Sequence, residues 1–589
     1  MRRHRVLQGA VLGLLIGVLV GTVEILRLAW FVRGGTFRAD LLIEAWLIDG
    51  GLLAVVGGLL GALLSLFERQ HRGGRRSLAR SYNAAPTYAA SGLRPRRAVL
   101  RLAATGVVGV GVLGITRWVE AAGLASAPHT NAVRSAPSSA AGNAPRPNVL
   151  LVTIDTLRAD QLGSYGHPFV KTPALDAFAA QGARFNLHLV QEPQTNPSHC
   201  SMFTGMYPSS SGVRVHMVDK LPNSLDTLAT VFQSAGYSTA GLYSWMSFDP
   251  QYSNFQRGFQ VYQDLTLNKP GLLSNPLVQQ AAANYRVAEQ YLVVPKEFST
   301  LSGLNAQVES SSKGRGDQTT DSAINQLRAF GNTPFFMWLH YFDPHYPYEP
   351  PGDYASLYDA SYRGALTGDI ATVDAILAGK LHPAGADLQR LVSLYQGEIS
   401  YLDNQIARLF ASLDQLGLAQ DTIVAITGDH GESFAEHTQF EEDGNIFHPK
   451  SLYNAESRVP LLLRYPRAIK PGTVITAPTQ AIDLFPTLLE LAGQPVPAQS
   501  EGASAAGLLA GRDDGSQRLA FSSMPDFVFT SIATARWKLI QNNASGQHRL
   551  YDMRADLGET HDVAAANTAV ATQLTGQLAA WMKAVKISS

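Results

Sequence analysis

The hydrophobic pattern divides this chain near residue 148. Upstream, 6–23 and 50–67 are uncharged, largely apolar runs, each long enough with its flanks to span a bilayer. A third run, 102–116, is shorter and is bracketed by Arg101 and Arg117, which can snorkel to the interfaces. The first run is too long, and is followed by too much apolar sequence, to read as a simple cleaved signal peptide. The pattern predicts a membrane anchor over 1–119, with about three transmembrane helices at 6–29, 42–67 and 99–118. An Ala/Ser/Pro-rich stretch over 120–147 reads as a flexible linker. From residue 148 the texture becomes that of a folded domain. The continuous apolar run 148–154 is expected of a buried parallel strand. Segments 175–181 and 225–235 read as helices, and 237–243, 334–340 and 422–427 as strands. Strands alternating with helices predict an α/β catalytic domain over 148–480, built on a doubly wound, mostly parallel sheet. Ligands of such sheets bind outside the carboxyl ends of strands, which is where Asp155, His340 and Asp429 fall. Further on, 485–493 is a helix closed by glycine. Short strand-like runs at 527–534 and 537–541 and an amphipathic helix at 568–585 predict a smaller C-terminal sheet subdomain of the same fold over 481–589. Residues 252–316 carry no motif and read as an insertion near the substrate entrance.

Composition sharpens the first division. Charged residues are 16% of the 589-residue chain and apolar residues 46%, with the apolar excess at the N-terminus. Lys+Arg and Asp+Glu are both 47, so overall charge predicts no nucleic-acid partner. The stretch 69–101 holds arginines and no acidic residue, and the N-terminus is also basic, so both are expected on the cytoplasmic side. The third span would then carry everything after it outside. The expectation is an integral cytoplasmic (inner) membrane protein whose catalytic domain is extracytoplasmic and whose lasting partner is the lipid bilayer. The single cysteine, Cys200, excludes an intramolecular disulfide and a thiolate-based structural zinc site, and reads as a buried small hydrophobe.

The chemistry centres on 194–199, QTNPSH. A hydroxyl residue followed by Asn-Pro can cap a helix, which places its oxygen beside the free N–H groups of the first turn, where an anion would be held. If Asp155, Asp429 and His430 converge there, they form an oxygen-rich metal site able to turn Thr195 into an alkoxide. Two carboxylates and an imidazole suit Mn²⁺, Mg²⁺ or Zn²⁺ better than Ca²⁺. His340 reads equally as a satisfied structural histidine. His437 and Glu432 read as orienting groups or as solvated residues, Arg158 and Asp160 as a local ion pair, and 441–443 as a solvated acidic run.

Residues 148 to about 583 resemble a sulfatase-family member of the alkaline phosphatase superfamily. The resemblance is carried by NVLLVTIDTLRADQLGSYG at 148, TNPSHCSMFTGMYP at 195, PFFMWLHYFDPHYPYEPP at 334, TGDHGESFAEH at 427, HPKSLYNAESRVPLLLRYP at 448, AIDLFPTLLELAG at 481 and LYDMRADLGET at 550. It implies one divalent metal ion bound by Asp155, Asp429 and His430, and Thr195 as the catalytic nucleophile that also touches the metal. It further implies that His345 and His448 contact the transferred anion, and the motif position of His199 suggests a role supporting the site. The chain departs from the family where sulfatases carry a Cys or Ser that becomes formylglycine, since the residue is Thr195, and where they carry the following arginine, which is His199. The second aspartate after the first strand is Thr156, and Gly241 is followed by Leu242 and Tyr243 in place of a lysine. What remains resembles the single-metal site of membrane-anchored phosphoglycerol and phosphoethanolamine transferases. This implies a hydrolase or phosphotransferase acting on an anionic ester, such as a lipid head group or an envelope glycan. A sulfuric ester hydrolase without formylglycine and a non-catalytic membrane scaffold are the other readings.

Overall fold

The computed structural model describes residues 146–266, 315–437, 446–449 and 451–587, all within one compact unit. The expected membrane spans and 120–145 of the expected linker lie outside the described residues, as does the acidic run 441–443. No helix among the described residues is long and apolar enough to cross a membrane.

The chain enters on β1 (Asn148–Ile154), every residue of which is buried. It continues through α1 (Pro173–Gln181), β2 (Ala183–Phe185), β3 (His188–Leu189), α2 (Thr195–Thr204), α3 (Leu228–Ser234), β4 (Ser238–Tyr243) and β5 (Val261–Asp264). Next come α4 (Gly316–Phe330), β6 (Phe335–Tyr341), the thirty-residue α5 (Ala386–Gln415) and β7 (Thr422–Gly428). The short strands β8 (Arg458–Val459), β9 (Leu461–Arg464), β10 (Thr473–Ile475) and β11 (Thr479–Gln480) precede α6 (Leu484–Leu491). Eight strands form one sheet in the order β10-β2-β9-β7-β1-β6-β4-β5. Its centre is parallel: β1 pairs in parallel with both β6 and β7, while β9 runs antiparallel to β7 and β2.

Burial of both faces explains why the central strands are almost continuously apolar. Val149 and Leu151 point to one face with Phe336 and Trp338, where α2, α3 and α6 supply Met202, Phe203, Phe232 and Leu488. Leu150, Val152 and Ile154 point to the other with Met337 and Leu339, where α1, α4 and α5 supply Phe178, Leu327 and Leu402. Helices cover both faces, so both faces are largely apolar and the polar exceptions Thr153, His340 and Thr427 cluster toward the strand ends. α3 starts at Leu228, later than the pattern suggests, because Thr227 and Thr230 form a reciprocal capping box. The stretch read as a motif-free insertion at 252–316 is partly core. It contributes edge strand β5, parallel to β4, and Gly316 opens α4; 267–314 lies outside the described residues.

A second sheet, antiparallel, is formed by β12 (Ala520–Ser523), β13 (Phe529–Ala533), β14 (Trp537–Asn542) and β15 (His548–Asp552). One face packs Ile532, Leu539 and Leu550 against Leu574 and Leu578 of α7 (Thr568–Ala584). The other packs Phe529, Ile540 and Tyr551 against Leu189, Leu452 and Tyr453 of the main domain. The main core runs past residue 480, since Phe485 and Leu488 of α6 join the cluster under α2.

Candidate active site

Register decides where the polar residues go. Thr153 of β1 faces His340 of β6 and Thr427 of β7, so Asp155 and Asp429 follow at the same edge of the sheet. The turn after β1 is tight. Thr156 adopts a left-handed backbone (φ 56°), and its N–H donates to Asp429 Oδ1 at 3.1 Å. Tyr395 of α5 locks the turn by donating to the Thr156 carbonyl (2.7 Å) and accepting from Arg158 N–H (3.1 Å). Beyond β7, Gly431 runs against the backbone of Ala455 and Glu456, where a Cβ would overlap a carbonyl oxygen.

Thr195 is the first helical residue of α2; Gln194 takes the N-cap position in extended conformation, and Pro197 is third in the helix. The N-cap position expected of Thr195 therefore falls on Gln194, whose side chain makes no capping bond, and the threonine hydroxyl lies inside the first turn, beside His430. Asn196 ties the helix start to two loops, donating to Ser247 O (3.0 Å) and accepting from Met217 N (2.8 Å). Ser198 donates to the Asp429 carbonyl at 2.5 Å and clamps the helix onto the end of β7. In this frame Thr195 Oγ1 lies 3.4 Å from His430 Nε2.

Asp155, Asp429 and His430 each offer a donor atom within 4.8 Å of the others, all buried. His430 Nε2 lies 3.6 Å from Asp155 Oδ1 and 3.7 Å from Asp429 Oδ2. The other ring nitrogen, Nδ1, donates to Gly431 O at 3.0 Å, which leaves an Nε2 lone pair aimed into the cluster. Both oxygens of Asp155 and Oδ2 of Asp429 have no hydrogen-bond partner among the described residues. Burial pushes Asp155 up to about 7, against the pull of His430. Burial likewise raises Asp429, and the neighbouring Asp155 adds to the rise. Adjacent buried carboxylates with unbonded oxygens are costly when ionised, and a divalent cation removes that cost. The donor set therefore fits such an ion.

His199 does not point at the cluster as a free base. Its Nδ1 donates to Thr195 O (2.8 Å), and its Nε2 accepts from Thr153 Oγ1 (2.9 Å), which in turn accepts from Trp338 Nε1 (2.9 Å). Burial holds this imidazole down to about 3, so it stays neutral and fixes the start of α2 from below. His448 and His345 stand on the other side, their ring centroids 4.9 Å apart, with His448 4.2 Å from His430. His448 Nδ1 shares a proton with Glu432 Oε1 (2.7 Å), and Glu432 Oε2 accepts from Tyr348 OH (2.7 Å). Glu432, read from sequence only as an orienting or solvated residue, is fully buried, and burial pushes it up to about 8. His345 Nδ1 donates to Tyr346 O at 2.6 Å, and its ring lies beside Phe342 and Trp245. His437 stands apart from this group, stacked on Tyr453. Arg158 makes the expected pair with Asp160 (2.7 Å) and also reaches Glu436 and the Glu432 carbonyl. Cys200 is buried, with its thiol pushed up to about 11 by desolvation, and is no competitor to Thr195.

Residues 147–494 match the family model described as Sulfatase. The chain belongs to the sulfatase family. Its C-terminal part, 442–586, also matches the model described as N-sulphoglucosamine sulphohydrolase, C-terminal, which spans the second sheet and α7. The arylsulfatase of Clostridium perfringens is 26% identical over 473 residues, covering 70% of this chain and 89% of that protein. A multifunctional alkaline phosphatase superfamily protein of Trinickia caryophylli is 26% identical over 402 residues, covering 61% and 76%. The phosphonate monoester hydrolase of Agrobacterium radiobacter shares the fold, with a TM-score of 0.57 at 21% identity over 75% of this chain and 96% of that one. As a sulfatase-family member this protein is an ester hydrolase, of a family that depends on divalent metal.

Proposed function

We propose that this protein is a membrane-anchored, metal-dependent hydrolase or transferase of phosphate or sulfate esters that works through a covalent Thr195 intermediate, with phosphoryl transfer favoured. The observation that carries the reading is the Thr195 hydroxyl at a helix start, 3.4 Å from His430 Nε2 and beside two buried carboxylates with unbonded oxygens. Asp155, Asp429 and His430 would hold the ion, with Thr195 beside it. When bound, that ion supplies charge neutralisation and a lowered pKa for the threonine hydroxyl. Thr195 Oγ1 attacks phosphorus in line. The Oγ1–P bond forms as the ester P–O bond breaks, and the departing alcohol gains the proton that the threonine loses. His345 and His448 bind the oxygens that carry the developing charge. Water or a second alcohol then takes the phosphoryl group and restores the hydroxyl. The substrate is an anionic ester, with a lipid head group or an envelope glycan fitting a domain outside the membrane. The arginine distribution over 69–101 supports that orientation.

Sulfate ester hydrolysis is the second reading, favoured by the arylsulfatase relative. Formylglycine carries a second hydroxyl that expels sulfate from the covalent intermediate, and threonine has none. A threonine sulfate would require direct attack at sulfur. Paired aryl phosphate and aryl sulfate substrates decide between the two. The phosphate ester should turn over faster by at least roughly tenfold, equal to about 1.4 kcal/mol of barrier. Mass spectrometry of the peptide containing Thr195 after quenching should show added phosphate. Faster sulfate turnover would reverse the assignment.

A further inference from the structure

His340 is the penultimate residue of β6 and is 0% exposed, and neither ring nitrogen has a hydrogen-bond partner among the described residues. The satisfied structural histidine that the sequence allows is therefore not what stands here. A buried imidazole left this way forfeits bonds it would make in water, so packing alone is a costly reason to keep it. Its ring neighbours Phe248 and Trp338 offer faces and edges, and the neighbouring His199 spends both nitrogens on Thr195 O and Thr153 Oγ1. What faces it is Asp155 Oδ2, 3.6 Å from Nε2. The other oxygen of that carboxylate, Oδ1, lies 3.6 Å from His430 Nε2. The two sides of Asp155 are not alike. His430 commits its Nδ1 proton to Gly431 O, so its Nε2 turns a lone pair toward Oδ1, and a cation between them is what reconciles the two. His340 carries no such commitment among the described residues. With its proton on Nε2 it offers Oδ2 a donor, whereas the other tautomer sets a lone pair against those of the carboxylate. The first tautomer is favoured, and it leaves only an acceptor, Nδ1, unbonded.

We propose that His340 is a positioning residue that holds Asp155 through Nε2–H and Oδ2, so that Oδ1 is kept toward His430 and the metal centre. It is not itself a ligand, because a nitrogen that carries a proton has no lone pair for a metal. The proposal rests on the metal reading given under Proposed function. At 3.6 Å the pair stands about 0.6 Å beyond an ordinary N–H···O bond, a gap that a small turn of the Asp155 side chain closes. A carboxylate that binds an ion by one oxygen keeps its orientation when the other oxygen has a donor. An uncharged imidazole supplies that donor without the repulsion that an ammonium would add beside a cation. Register makes the contact: β6 pairs with β1 so that His340 stands opposite Thr153, two residues before Asp155. The family resemblance gives a role to His345, further along the same stretch, and none to His340.

The test uses the full-length protein in detergent, stripped of metal, with Mn²⁺ as the probe. Chelator competition measures Mn²⁺ affinity, and the melting transition of the metal-free protein reports on packing. His340→Leu keeps an apolar side chain against Phe248 and Trp338 but has no N–H, and it should weaken Mn²⁺ binding at least about tenfold. His340→Gln, whose amide nitrogen reaches as far as Nε2, should stay within about threefold of wild type. Undiminished affinity in a folded His340→Leu variant, or equal weakening in the Leu and Gln variants, overturns the proposal and leaves His340 as a packing residue. A packing role alone would lower the metal-free melting transition of both variants and leave the affinity of the folded protein unchanged. If His340→Leu does not fold, as judged by that transition, His340→Met is measured in its place. Failure of the underlying metal reading looks different: wild type would bind Mn²⁺ no more tightly than Asp429→Ala.

Discussion

At the scale of single residues, the site is defined by which polar atoms have partners. Thr195, one residue past the N-cap position, turns its hydroxyl toward His430, while His199 uses both nitrogens to anchor the helix start. Two predictions follow from that division of labour. Thr195→Ala should lower turnover to nearly nothing, whereas Thr195→Ser should keep part of it because the attacking oxygen is retained; steady-state kinetics with an aryl phosphate checks both. Glu432→Gln should reduce kcat by roughly 10–100-fold with metal content unchanged, because Glu432 acts by orienting His448 and is not placed as a ligand. Loss of metal together with activity would show that Glu432 supports the centre itself.

At the scale of elements, the C-terminal sheet is held to the main domain by apolar packing and by hydrogen bonds made by a buried ion pair of its own. Lys538 on β14 lies 2.9 Å from Glu559 Oε1, both fully buried. Its ammonium also donates to Leu452 O, Asn454 Oδ1 and Ser457 Oγ, at 2.7, 2.9 and 3.0 Å. Those acceptors belong to the segment between His448 and β8, so the C-terminal sheet braces the segment that follows the His448 loop. Burial pulls Lys538 down and pushes Glu559 up, each opposed by its partner. Removing one member leaves the other charge stranded. Lys538→Met should therefore cost about 3–5 kcal/mol in a denaturant titration. The double variant Lys538→Met/Glu559→Gln should recover much of that loss. Equal losses in single and double variants would mean that the hydrogen bonds, and not the charge pairing, carry the stability.

At the scale of the whole molecule, the strand-end cluster and the upstream apolar runs make separate, checkable demands. One divalent ion should copurify with the protein, and exhaustive chelation should abolish turnover and restore it on readdition. Asp429→Ala should lower metal occupancy while leaving the far-ultraviolet circular dichroism of the domain intact. Orientation is tested by fusing a reporter that is active only outside the cytoplasm. Placed after Ser126 it should be active, and placed near Arg76 it should be silent. The opposite pattern would mean that 102–116 does not cross the membrane.

Much of this architecture is legible in linear sequence because it depends on local patterns. Continuous apolar runs such as 148–154 encode strands buried on both faces, and alternation with helices encodes the parallel sheet. Asp155, Asp429 and His430 are readable as candidates because each sits immediately beyond such a run, at the end where α/β sheets bind ligands. The sequence does not show that 261–264 is an edge strand, since its pairing with β4 is long-range and its exposure alternates. Nor does it show that the N-cap position falls on Gln194 and not on Thr195, which depends on backbone angles. The roles of Glu432, His340 and His199 lie furthest from the linear pattern. A buried carboxylate or imidazole has the same letter whether its atoms are satisfied or orphaned, and only packing decides which. Sequence by itself determined the sheet, the candidate nucleophile and the carboxylates that end its strands. Tertiary structure alone decided which histidine is spent on Thr153 and which is left facing Asp155, because those partners, more than forty residues apart in sequence, are brought together by register and burial.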